Sequence, residues 1–252
     1  MVKPSTSELL PLSPTRWPAD AFSWPRSLAM FVLIGFAFYA GTLLDSYVTF
    51  RVFHTSIADI RTSHLTWGIA VGQYMAYLPI LIVLLAAMPW LARRSFRELG
   101  LRGFDRGTVL AGLAGAAGMY AVTIGLAGVQ FAFTHQMPEE TAISLFNSTH
   151  DRGLVAAFTF LATIAAPFME EFVFRGFLFN ALLRYLPLWF ALVISGAVFG
   201  FSHLSPSAAL PLAGSGVVLA YVYYRSGSLT AAMITHALFN LVNVALLSLQ
   251  KT

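Results

Sequence analysis

The stretch FTFLATIAAPFMEEFVFRGFLF, residues 158–179, decides the fold class. It has the pattern of a membrane-spanning helix, yet two adjacent carboxylates, Glu170 and Glu171, lie inside it. An ionised side chain at bilayer depth is energetically costly, so residues of this kind are normally paired and functional. Two neighbouring acids in one apolar run are difficult to explain by packing alone, and they indicate a functional site.

The whole chain has the composition of a membrane protein. Of its 252 residues, 58% are hydrophobic and 10% are charged, and the mean hydropathy is +0.73. A soluble domain is about 25% charged. The apolar residues fall into long runs, which predict an all-α, polytopic membrane helical bundle. No polar linker divides the chain, so residues 27–252 are predicted to form a single transmembrane domain. The absence of cysteine excludes disulfides and thiolate zinc sites.

Seven apolar runs predict about seven transmembrane helices, with the candidate site between the later ones. The first 26 residues are rich in Pro and Ser and lack the continuous apolar core of a signal peptide, so they are predicted to form a flexible cytoplasmic tail. The predicted spans are Ser27–Leu44, Trp67–Leu91, Thr108–Phe133, Leu154–Phe179, Leu188–His203, Ser207–Tyr224 and Leu229–Leu249.

Basic residues predict the orientation of these spans. The loop after the second run carries five arginines, whereas the loop after the third carries three acids and one arginine. Under the positive-inside rule the first of these loops is cytoplasmic, which places the N-terminus inside. The arginines are therefore interpreted as topology signals in a multi-pass protein of a prokaryotic plasma membrane, with lipid and no nucleic acid as a partner. The five are Arg93, Arg94, Arg97, Arg102 and Arg106.

Small residues recur on the third predicted span. Gly112, Gly115 and Gly118 are three residues apart, a spacing that lets helix backbones approach closely in lipid. Packing inside the bundle is favoured over dimerisation, and the oligomeric state stays open.

Helix geometry separates the two acids. Glu171 and Arg175 are four residues apart and share a helix face, with the acid on the favourable N-terminal side. Glu170 has Phe174 at the equivalent position and no cation. An unpaired carboxylate in apolar surroundings suits a general base, so Glu170 is the predicted catalytic acid and Glu171, with Arg175, a supporting residue. The alternative is a buried ion-pair network that only fixes helix packing.

Polar residues on two later spans complete the candidate site. His203 ends the fifth run, one turn after Phe199. His236 and Asn240 are four residues apart on the last span, so they share a face. Each could instead be an interfacial residue or a hydrogen bond between helices. Convergence with Glu170 requires the fourth and fifth helices to be long and tilted. The fourth run can form one helix of about thirty residues, on the order of 45 Å long, whose end extends into the cytoplasm.

These residues form three motifs: Glu170-Glu171-x-x-x-Arg175, Phe199-x-x-x-His203 and His236-x-x-x-Asn240. In this order they resemble the motifs of the CAAX-protease and bacteriocin-processing (CPBP, or abortive-infection) intramembrane proteases, which include the type II CAAX prenyl endopeptidases. The segment Phe96–Asp105 is also similar to a basic loop of bacterial members. The motif region is residues 154–249.

The resemblance implies an intramembrane glutamic endopeptidase that acts on a peptide or protein substrate in or at the membrane, without a cofactor, a metal or a covalent intermediate. By that analogy Glu170 and His203 would activate a water. His236 and Asn240 would donate hydrogen bonds to the oxyanion, and Glu171 and Arg175 would hold the site in shape. Prenylated CAAX peptides and leader peptides both stay open as substrates.

Three alternatives remain at the level of sequence. Two histidines and a carboxylate could ligate zinc in a metalloprotease, although the HExxH motif is absent. Intramembrane acids and histidines also form proton relays in transporters, but no inverted repeat is found. A non-enzymatic scaffold or immunity protein could retain the same residues.

Overall fold

The computed structural model of the protein describes residues 22–56, 64–92, 95–138 and 141–249. Within these ranges the chain is built from helices, joined by short turns and loops. In chain order the helices are α1 (Trp24–Tyr47, continued by a π-helical segment Val48–Val52), α2 (Trp67–Ala92), α3 (Arg106–Thr134), α4 (Thr141–Asn147), α5 (Arg152–Tyr185), α6 (Leu188–Ser202), α7 (Ala209–Ser226) and α8 (Leu229–Leu249).

The predicted helical membrane bundle is confirmed. Among the described residues, α1, α2, α3, α5 and α8 are each long and apolar enough to cross a membrane, so the chain is a multi-pass membrane protein. All seven predicted runs are helical, but α6 has 15 residues and is shorter than a typical span. Helix α7 has 18 residues and includes polar Ser215, Ser226 and Arg225. Helix α4 lies in the predicted outer loop, where no helix was expected.

Helix α5 carries the two glutamates and has 34 residues, about 50 Å at 1.5 Å per residue. The long fourth helix is therefore as predicted, whereas the fifth predicted run, α6, has only 15 residues. Two of its segments are π-helical, Leu161–Ala165 and Phe172–Phe179. The first precedes Pro167, which has no N–H to donate to the carbonyl one turn earlier, so the regular α-helical ladder is interrupted there.

Close helix packing positions α8 and its polar residues. A Cβ at Gly112 would overlap Ile234 of α8, and one at Gly115 would overlap Thr235. Thr235 also donates a hydrogen bond to the carbonyl of Gly112, 3.1 Å away. These two glycines therefore let α3 approach α8 within the bundle, as the sequence predicts, whereas Gly118 faces open space.

The predicted cytoplasmic loop after α2 is packed against the bundle. Leu99 is fully buried, and its carbonyl accepts a 2.9 Å hydrogen bond from the Tyr223 hydroxyl. The carbonyl of Gly100 accepts a 2.7 Å bond from the N–H of Leu229, next to the start of α8. Phe96 packs edge-on against Phe172, with 5.3 Å between the ring centroids. The loop therefore connects the first residue of α8 to the segment of α5 that follows Glu171.

The end of the predicted flexible tail, residues 1–26, also belongs to the fold. Phe22 is 1% exposed, and its carbonyl accepts hydrogen bonds from Ser27 and Tyr185. Helix α1 begins at Trp24 with Pro25 in its first turn, where the missing N–H of proline costs no hydrogen bond. Residues 1–21 lie outside the described residues.

Candidate active site

Glu170 lies on α5 with its two carboxylate oxygens in different surroundings. Oε1 accepts a hydrogen bond from the hydroxyl of Tyr77 on α2, 3.1 Å away. Oε2 is buried and makes no hydrogen bond within the described part of the chain. It lies 4.0 Å from Nε2 of His203 and 4.0 Å from Nε2 of His236. The structure thus brings together three of the predicted catalytic side chains, from α5, the end of α6 and α8.

The His203 ring is oriented by the backbone. Its Nδ1 lies 2.8 Å from the carbonyl oxygen of Phe199 one turn earlier. A carbonyl only accepts, so Nδ1 must carry the proton of this bond. In the neutral ring Nε2 then presents its lone pair toward Glu170. The side chain of His203 is 18% exposed, as is that of Glu170, so both can be reached from outside the packed core.

The His236 ring is oriented by a carboxylate. Its Nδ1 lies 2.9 Å from Oε1 of Glu171, and the side chain is only 5% exposed. An ionised carboxylate accepts hydrogen bonds and cannot donate, so Nδ1 is the donor here too. Both imidazoles therefore have a fixed Nδ1–H and direct Nε2 toward the same oxygen of Glu170.

Glu171 and Arg175 form the predicted pair and are completely buried. Arg175 Nη1 lies 3.0 Å from Oε1 of Glu171, and Nη2 donates a 2.9 Å bond to the carbonyl of Gly216 on α7. The guanidinium carbon lies 4.6 Å from the centroid of the Phe199 ring, a cation–π distance. Burying these charges is possible because each faces a partner.

Phe199 connects the parts of the site. Its ring is 1% exposed, and its centroid lies 4.7 Å from the His203 ring and 5.7 Å from the His236 ring. The same ring faces the guanidinium of Arg175. It therefore forms an apolar wall shared by both histidines and the buried arginine.

Asn240 lies one turn beyond His236 on α8, and its amide N–H donates to the carbonyl of Ala162, 2.7 Å away. Ala162 belongs to the first π-helical segment of α5. One of the two amide protons therefore binds α8 to α5. The sequence predicts Asn240 as an oxyanion donor, and the other amide proton remains for such a bond.

An apolar groove of about 350 Å³ runs between α2 and α5 beside Glu170. Tyr77 belongs to both features, because its ring lines the groove and its hydroxyl binds the carboxylate. The groove is lined by Tyr74, Met75, Tyr77, Leu78, Leu81, Ile164, Ala165, Phe168 and Met169.

Tyr77 is the residue of the site that sequence reasoning missed. A tyrosine hydroxyl in an apolar span needs a hydrogen-bond partner, which is a signal that the sequence does contain. However, α2 has a second tyrosine, Tyr74, whose hydroxyl donates to the carbonyl of Ala157. Which of the two reaches the site depends on the rotation of α2, which helix periodicity alone does not give.

The site combines a carboxylate, two imidazoles with fixed tautomers and an amide donor, the groups needed to activate a water and to stabilise an oxyanion. Among the described residues, no group of three or more His, Asp or Glu side chains is placed to hold a metal ion.

Comparison with known proteins finds similarity in the region that holds the site. The sequence pattern of the family described as "Type II CAAX prenyl endopeptidase Rce1-like" matches residues 152–242, which contain all three motifs. "Putative membrane peptidase YdiL" of Bacillus subtilis (strain 168) is 29% identical over 80 residues, 32% of this chain and 33% of that protein. The match therefore spans about a third of the length of this curated relative. No solved structure matches the chain. The region that holds the three motifs is therefore similar to the Rce1-like family of endopeptidases and, over 80 residues, to a putative membrane peptidase.

Proposed function

We propose that this protein is an intramembrane endopeptidase that hydrolyses peptide bonds of membrane-associated substrates with a water activated by Glu170. The observation that carries the proposal is the placement of Glu170 Oε2, buried and 4.0 Å from the Nε2 atoms of both His203 and His236. A water with hydrogen bonds of about 2.8 Å can bridge two atoms at this separation.

The first step of peptide hydrolysis follows from the tautomer of His203. A water between Glu170 and His203 donates one hydrogen to each, because carboxylate Oε2 and neutral Nε2 are both acceptors. Its lone pairs then face away from both groups, toward the scissile carbonyl. Glu170 takes a proton as the water oxygen bonds to the carbonyl carbon, and it returns that proton to the leaving nitrogen. One peptide bond and one water thus yield a carboxylic acid and an amine.

The oxyanion is stabilised from α8. His236 can donate through Nε2 only as an imidazolium, because Nδ1–H already binds Glu171. The carboxylate of Glu171 accepts the hydrogen bond from Nδ1–H of this ring, so Glu171 contributes beyond its pair with Arg175. The second amide proton of Asn240 completes the pair of donors. Preorganised donors of this kind are worth about 3 kcal/mol of barrier each.

The apolar groove supports a substrate that is partly embedded in lipid. Its lining residues leave little for a polar peptide to bind, whereas an isoprenoid or an apolar leader segment would fit beside Glu170. We therefore assign the substrate to prenylated CAAX-type or apolar leader-type peptides, with the groove holding the apolar part and the scissile bond at Glu170.

The alternative raised by the sequence is a zinc-dependent peptidase with Glu170, His203 and His236 as ligands, although no group of three His, Asp or Glu side chains among the described residues is placed to hold a metal ion. In that case the metal would activate the water directly. Cleavage that persists after prolonged treatment with a strong chelator supports the metal-free reaction. Stoichiometric zinc in the purified protein, lost together with activity in Glu170→Gln, would establish the metal-dependent one.

The direct test compares the wild type with Glu170→Gln by profiling new peptide termini in the membrane proteome. The account predicts that one set of termini disappears in Glu170→Gln, although the protein still folds. Glu98→Gln is the matched control, because Glu98 is exposed in the loop after α2, where it accepts hydrogen bonds from the N–H and the hydroxyl of Ser95. A scaffold would support its cellular role equally well with glutamine at position 170.

We also propose that the N-terminus and the loop after α2 lie in the cytoplasm of a prokaryotic cell. The chain has no cysteine, so single cysteines can report the side of the membrane. Phe104 and Met137 are exposed at opposite ends of α3. A membrane-impermeant maleimide added to intact cells should label Met137→Cys and leave Phe104→Cys unlabelled. The reverse labelling would overturn this orientation.

A further inference from the structure

We infer that Tyr77 is a positioning residue for the reaction, which holds the Glu170 carboxylate with Oε2 toward the two histidines. The inference rests on the proposed function, which it extends to a residue of α2, outside the family-matched region 152–242. Its basis is the 3.1 Å hydrogen bond from the Tyr77 hydroxyl to Oε1 of Glu170.

The bond gives the two oxygens different tasks. The terminal torsion of a glutamate side chain is broad and roughly two-fold, so its carboxylate rotates easily unless something holds it. Tyr77 is the donor, because an ionised carboxylate has no hydrogen to give. With Oε1 occupied, Oε2 is the oxygen left to accept a proton, and it is the one that faces His203 and His236.

The bond to Glu170 is also a charge-assisted one, because its acceptor is a carboxylate. A hydrogen bond to a charged acceptor is stronger than one between neutral groups. The other groups that face Glu170 are His203 from the end of α6, His236 from α8 and, on α5 itself, the pair of Glu171 with Arg175. Since Glu171 neutralises Arg175 directly, Tyr77 is the donor that binds the Glu170 carboxylate itself.

The position of Tyr77 makes the inference testable by a small change. Its ring lines the groove between α2 and α5, and only the hydroxyl reaches Glu170. Tyr77→Phe therefore keeps the groove wall and removes a single hydrogen bond. Tyr185→Phe is a matched control, because the Tyr185 hydroxyl donates a bond of the same 3.1 Å length to the Phe22 carbonyl at the far end of α5.

The kinetic test uses a fluorescence-quenched peptide with the sequence of a cleavage site found in the comparison of wild type and Glu170→Gln. We expect Tyr77→Phe to lower kcat by about 10- to 100-fold with KM within about twofold, the loss of one hydrogen bond to a charged group. Tyr185→Phe should keep the wild-type kcat and KM.

A purely structural role for Tyr77 would lower the melting temperature and leave the kcat of the folded protein unchanged, which would overturn the inference. Infrared spectroscopy gives a readout that needs no substrate. The carboxylate band that disappears in Glu170→Gln should shift in Tyr77→Phe and stay in place in Tyr185→Phe. An unshifted band contradicts the inference even if cleavage is detected. If the wild type cleaves no peptide, the proposed function fails, while the band still decides whether Tyr77 holds the carboxylate.

Discussion

The two adjacent glutamates of the site lie in different surroundings. Glu171 is fully buried and is held by Arg175 and His236. Glu170 is 18% exposed, and its Oε2 is without a hydrogen bond inside the described residues. Paired buried charge stabilises one arrangement of helices, whereas an unpaired oxygen beside two imidazoles is available for chemistry. The comparison teaches that two adjacent positions on one helix, about 100° apart around its axis, can separate a structural role from a reactive one.

Removing the buried cation Arg175, the partner of Glu171, should have the largest effect on stability. Arg175→Met leaves the Glu171 carboxylate buried without its cation, which typically costs about 3–5 kcal/mol. The variant should therefore melt far below the wild type in detergent, or fail to accumulate. Arg225→Met is the control, since Arg225 is exposed at the end of α7. Equal melting temperatures for the two variants would contradict a stabilising role for the buried pair.

The two histidines should separate stability from activity. His236→Gln and His203→Gln should each reduce kcat by about 10²- to 10³-fold, since each removes a group beside the reacting atoms. Only His236→Gln should also lower stability, by about 1–3 kcal/mol, because His236 binds the buried Glu171. Melting curves recorded with the cleavage assays test this difference. A stability loss confined to His203→Gln would reverse the assignment.

Filling the groove between α2 and α5 should have the smallest effect of these changes on the reaction. The effect should be a rise in KM. Leu78→Trp adds bulk to the groove wall, so we expect KM to rise by about 3- to 10-fold with little change in kcat, as for loss of uniform binding. Ile82 lies one turn further along α2, is 58% exposed and does not line the groove. Ile82→Trp should therefore keep the wild-type KM. Equal KM values for both variants would place the apolar part of the substrate elsewhere.

The geometry within a single helix could be predicted from the sequence. The contact between Glu171 and Arg175 follows from their spacing on a helix, and the long α5 follows from an apolar run that continues past Arg175. The family resemblance added the order of the three motifs. These features depend on periodicity and composition, which a single chain displays directly.

Contacts between helices were harder to predict from the sequence. The bonds from Tyr77 to Glu170, from His236 to Glu171 and from Asn240 to Ala162 each depend on the rotation and depth of two helices. Rotation is set by packing details such as the close approach of α3 to α8 at Gly112 and Gly115. The π-helical segments of α5 also depart from the regular 100° turn on which face assignments rest.

The most direct test of the account is a side-by-side measurement of peptide cleavage and melting temperature in Glu170→Gln. The variant keeps the size of the side chain and an oxygen that can accept from Tyr77, but it removes the base. The account predicts that cleavage falls by about 10²- to 10⁴-fold while the melting temperature stays near that of the wild type. Cleavage at the wild-type rate by a normally folded Glu170→Gln protein would contradict the central role of Glu170.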